Sequence, residues 1–81
     1  MEKAKYEIII ASPPEYEELV AEIYHDGHFV ALLSKEKGNE NIEVEFANSM
    51  LDQSQVCRKM DLKEFLENVE LARKKLVGEC P

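Results

Sequence analysis

The chain has 81 residues, 44% hydrophobic, 33% charged and 7% aromatic, with seventeen acids against ten Lys and Arg and a net charge of −7. That length holds one core, so residues 1–81 are read as a single domain, and the apolar content is that of a folded chain. Two classes are set aside: no apolar run approaches the ~18 residues of a membrane helix, and the negative charge opposes direct binding to nucleic-acid phosphates.

The first residues, Met1 to Lys5, lead into a short apolar run, Ile8 to Ala11, and then two prolines. That is not the pattern of a secretory leader. Residues 5–11 are rich in Ile and Tyr and predict a first strand, which Ser12-Pro13-Pro14 stops because proline lacks the ladder N–H. Residues 15–24 contain good helix formers and also alternate. His25-Asp26-Gly27-His28 breaks the tie, since Asp-Gly favours a tight hairpin turn. Strands are therefore expected at 18–24 and 29–34. Lys35 to Asn41 is a polar turn, and Ile42-Glu43-Val44-Glu45-Phe46 alternates strictly, predicting a strand over 42–47. Met50 and Leu51 are expected to tuck inward from a polar loop, and residues 55–60 to form a short fifth strand.

A helix is predicted over 61–77. Asp61 is a suitable N-cap with Glu64 three residues on, as in a capping box, and Gly78 is a natural stop. At about 100° per residue, Leu62, Phe65, Leu66, Val69, Ala72 and Leu76 fall on one stripe. It is expected to meet Ile42, Val44 and Phe46. Leu71 lies opposite and marks a candidate contact point. The sum is an α+β domain. A small antiparallel sheet of four to five strands, mostly a meander, carries one C-terminal α-helix packed on one face.

Little in the chain predicts bond-making chemistry. His25, Asp26 and His28 are the residues nearest to a metal or acid–base cluster, but a zinc site needs three or four converging ligands, and no CxxC or HExxH is present. Cys57 with a histidine could form a nucleophile–base pair, though no spacing in the sequence joins them. Cys57 and Cys80 are too few for a disulfide framework and read as free thiols of a reducing cytoplasm. Phosphate-binding glycine motifs are missing. The expectation is a non-enzyme with no catalytic residue, cofactor or metal.

The charge is uneven. Residues 1–56 hold twelve acids and four bases, a net of −8, while residues 57–81 are at +1. Acidity alone can serve solubility. It also suits a surface built for a basic partner, where opposite fields speed encounter and aromatic anchors hold. The candidate partner-binding residues are Glu22, Tyr24, Asp26, Glu43 and Glu45, with Tyr16 and Glu18 second.

The run Tyr6 to Pro14, then Glu17 to Tyr24, Phe29 to Ser34 and Asn41 to Phe46, resembles small acidic immunity proteins of bacterial contact-dependent growth-inhibition and polymorphic-toxin systems. The similarity spans residues 5–76 and rests on strand patterns and a turn. It implies a cytoplasmic protein that binds the toxin domain of its own lineage, often a basic nuclease, with an RNase favoured over a DNase, and occludes its active site. No family contact motif carries over. Two other functions fit: a non-toxin adaptor or regulatory subunit docking a basic protein, and, less favoured, a small metal-dependent enzyme at His25, Asp26 and His28.

Overall fold

Among the described residues, four antiparallel strands run in chain order, β1 (Tyr6–Ala11), β2 (Val20–His25), β3 (His28–Ser34) and β4 (Glu43–Glu45), before the helix α1 (Leu62–Val77). The computed structural model describes residues 5–47, 54 and 56–78. The expected α+β plan, an antiparallel meander with one C-terminal helix, is the plan observed.

The β2–β3 hairpin forms where Asp26-Gly27 stands. Both residues have positive φ, 51° and 83°, the mirror-image turn whose twist matches that of paired strands. His25 pairs with His28 across it. Residues opposite one another share a sheet face. One face therefore carries Tyr6, Ile8 and Ile10, then Ala21, Ile23 and His25, then Ala31, Leu33 and Val44. Between Tyr24↔Phe29 and Ile23↔Ala31 the register slips by one residue. Val30 is the extra residue of this bulge, and it joins the core.

The helix covers that face. Ala72 and Leu76 pack on Ala21, Ile23 and Leu33, with Ile8, Val30, Ile42 and Val69 around them. Ala21 and Ala72 are fully buried, and these small side chains let helix and sheet approach closely. Asp61 caps α1 by accepting the Glu64 N–H at 3.1 Å, and Gly78, at φ 82°, closes it with a bond to the Lys74 carbonyl. Lys35 reaches from beyond β3 to the Leu76 carbonyl at 3.2 Å, a cation at the negative end of the helix dipole. Asp61→Ala should lower stability by ~0.5–2 kcal/mol, read as a drop in thermal midpoint against wild type.

Several expectations are corrected. The second strand starts at Val20 rather than at residue 18: a turn closed by the Tyr16 N–H on the Pro13 carbonyl starts an arc that ends where β2 begins. β4 has three residues rather than six. There is no fifth strand among the described part of 55–60; Val56 makes one parallel bridge to Phe29, and Cys57 donates its N–H to the Phe29 carbonyl at 2.8 Å. Phe46 is 68% exposed and Val44 is also exposed. The helix lies over β2 and β1 and touches β3 only lightly, so it does not shelter β4. Leu62 and Leu66 are 69% and 55% exposed. They sit roughly 60° and 100° round the wheel from the buried Ala72–Leu76 centre, too far to reach the sheet. Leu71 is exposed, as expected. The capping box is half formed: Glu64 turns its carboxylate to the Tyr6 hydroxyl, tying α1 to β1. Met50, Leu51, Asp52 and Cys80 lie outside the described residues.

Candidate partner-binding face

The second sheet face is built by the alternate positions of the same strands. Register places Glu7 and Ile9 of β1 beside Tyr24 and Glu22 of β2. Phe29 and Leu32 of β3 follow, then Glu45 and Glu43 of β4. Every carboxylate carried by a strand, Glu7, Glu22, Glu43 and Glu45, is therefore on this face, and no strand carries a Lys or Arg. The helix lies on the other side. Apolar groups run between the acids: Tyr24 and Phe29 meet edge to face with centroids 5.9 Å apart, and Ile9 is 43% exposed.

The face is held in shape by its own polar contacts. Tyr24 donates to Glu22 at 3.1 Å. Tyr16 donates its hydroxyl to Glu45, pinning the arc 12–19 to β4. The arc is anchored again where the Glu17 and Glu18 N–H groups donate to the Glu36 carboxylate at 3.1 and 2.7 Å. Lys37 pairs with Glu43 at 2.9 Å, a cation at one corner, and this contact raises the Lys37 pKa. The acids also act on the phenols. Tyr16 is pushed up to about 12, chiefly by its bond to Glu45 and then by burial. Tyr24 is raised by burial first and by the Glu22 charge second. Outside the face, Tyr6 is pushed up to about 12 by its bond to Glu64.

A spectrophotometric alkaline titration checks these phenols. The folded-state values lie above the unfolded one, so their stabilising contribution is complete below the ordinary tyrosine value of ~10. For Tyr6 and Tyr16 it is lost as pH rises through about 12. Two of the three phenols of the folded protein should ionise only near pH 12; all three ionising together in the ordinary range would contradict the bonds described.

Of the sequence candidates, Glu22, Tyr24, Glu43 and Glu45 share the face, and Tyr16 joins it through Glu45. Glu18 and Asp26 do not share it in the same way. Glu18 sits in the arc, its N–H held by Glu36. Asp26 lies in the hairpin turn, where Oδ1 accepts the Lys5 N–H at 2.9 Å and the Asp26 N–H donates to the Lys5 carbonyl at 2.7 Å. Sequence reasoning missed Glu7, Ile9, Phe29 and Leu32. Glu7 was legible from the alternation of β1, but Phe29 depended on the bulge.

His25 and His28 pair across the hairpin, yet among the described residues no group of three or more His, Cys, Asp or Glu is placed to hold a metal. Instead His25 turns to the helix side. Its ring stacks on Tyr6 at 4.6 Å, and Nδ1 lies 3.7 Å from Cys57 Sγ. The pairing of Cys57 with a histidine, which no sequence spacing indicated, comes from the short run after Val56 that bridges back to Phe29.

Among the described residues no helix is long and apolar enough to cross a membrane. Comparisons with protein-family models, curated proteins and solved structures found no match.

Proposed function

We propose that this chain is a cytoplasmic immunity protein that binds a cognate basic toxin domain and neutralises it by covering its active site. The single observation that carries the reading is the segregation of the four carboxylates of the described strands onto the face away from the helix, around half-buried Tyr24, Phe29 and Leu32. A nuclease site gathers Lys, Arg and His to hold phosphates. Carboxylates spaced along adjacent strands can stand in for phosphate oxygens, and an RNase domain is favoured over a DNase. Long-range attraction sets the association rate, while the desolvated centre sets how slowly the complex parts. The aromatic and aliphatic groups between the acids supply that centre. Co-expression with the toxin domain encoded beside it tests the reading: growth should be restored and a one-to-one complex recovered.

A second reading, a non-toxin adaptor docking a basic protein, uses the same face. It predicts binding to a basic housekeeping protein and no rescue from any toxin. The third reading, a small metal-dependent enzyme at His25, Asp26 and His28, is less favoured; among the described residues no group of three or more His, Cys, Asp or Glu is placed to hold a metal.

A further inference from the structure

At the hairpin end of the sheet, on the side away from the acidic face, three groups stand in line. The Asp26 carboxylate lies 3.6 Å from His25 Nε2, and His25 Nδ1 lies 3.7 Å from Cys57 Sγ. The ring between them is fixed by its stack on Tyr6, whose hydroxyl is held by Glu64. His25 Nε2 is buried without a hydrogen-bond partner, the Asp26 carboxylate lying just beyond hydrogen-bonding distance. Cys57 is partly exposed and opens onto a cleft of about 220 Å³ walled by Phe46, Met60 and Phe65, with Arg58 and Lys59 at its edge. The acidic face uses none of these residues.

We propose that Cys57 is a reactive thiol served by His25 and that it takes up an anionic low-molecular-weight disulfide by thiol–disulfide exchange. The thiol, which at rest donates to the Lys59 carbonyl at 3.4 Å, turns to His25 Nδ1, 3.7 Å away, and passes its proton there. The resulting thiolate attacks one sulfur of the disulfide. A bond forms between that sulfur and Cys57 as the reagent's own S–S bond breaks, and the departing thiolate takes the proton back from the imidazolium. One thiol and one disulfide are consumed, and one mixed disulfide and one thiol are produced. Asp26 is a positioning residue: its carboxylate lies 3.6 Å from Nε2 and does not touch sulfur. Lys59, exposed beside the cleft, draws an anionic reagent to it, and the apolar wall accommodates its chain.

The test uses the full chain with Cys80→Ser, so that Cys57 is the sole thiol, and glutathione disulfide as probe. Adducts are followed by intact mass and located by peptide mapping. The folded protein should form one adduct at Cys57 about tenfold faster than the same chain in denaturant. His25→Gln should remove that advantage, and Asp26→Asn should reduce it by about threefold, both with thermal midpoints near the parent's. A folded rate no higher than the denatured rate overturns the proposal, and so does a full rate in folded His25→Gln. If His25→Gln fails to fold, the folded-to-denatured ratio of the parent still decides, because it needs no His25 variant.

Discussion

Reversing charge at Glu22 and Glu45 together should abolish capture of the basic partner while leaving the domain folded. Both residues stand on the face away from the helix, Glu22 on inner strand β2 and Glu45 beside Leu32. Truncating one member of a buried charge pair costs ~2–5 kcal/mol, so two lysines facing a basic surface should weaken binding by at least ~100-fold. Glu22→Lys also removes the acceptor of Tyr24, and Glu45→Lys that of Tyr16. Tyr16→Phe is the control: it breaks the same arc contact but leaves all four carboxylates in place. It should keep most of the affinity, whereas the double reversal should not. Wild-type association should also slow as salt rises, because exposed charges are screened within ~10 Å at 0.1 M. A calorimetric titration resolves the affinities, and thermal melts show whether each variant remains folded.

The second large effect concerns stability. Ile23→Ala should cost ~2–5 kcal/mol, the usual range for deleting a buried aliphatic side chain. Ile23 is among the largest fully buried side chains and lies in the centre strand beneath Ala72 and Leu76. An 81-residue domain has only ~4–12 kcal/mol to lose at ~0.05–0.15 kcal/mol per residue. The thermal midpoint should therefore fall by ~8–40 °C, at ~4–8 °C per kcal/mol for this size. The same truncation at Phe46 should shift it little, because that ring is already mostly in water. Equal losses at the two positions would place the core elsewhere.

The sequence carried the local signals faithfully. Asp26-Gly27 set the hairpin, Asp61 and Gly78 bounded the helix, and the alternation of Glu43 to Glu45 put those acids on one side. What it could not carry was the reach of one element over another. Leu62, Leu66, Val44 and Phe46 all have the periodicity of core residues. Their exposure follows from where a 16-residue helix lies across the sheet, which no periodicity encodes. The bulge at Val30 shows the same limit. One extra residue moves Phe29 onto the acidic face and turns Val30 into the core. The pairing of His25 with Cys57 depends on a single backbone bridge linking segments far apart in the chain. Glu22, Tyr24, Glu43 and Glu45 share a face because they lie at strand positions, where a period of two fixes the face once the strands are found. Asp26 and Glu18 lie in a turn and an arc, and that rule does not extend to them.

The central claim is that the face away from the helix, with Glu7, Glu22, Glu43 and Glu45 around its apolar centre, is what recognises a basic protein. The most direct measurement is the growth of cells producing the toxin domain encoded beside this chain, with the wild-type protein or the Glu22→Lys/Glu45→Lys variant supplied at equal levels. Survival with the wild type and death with the folded variant is the result the account predicts. Equal protection by both proteins would contradict it.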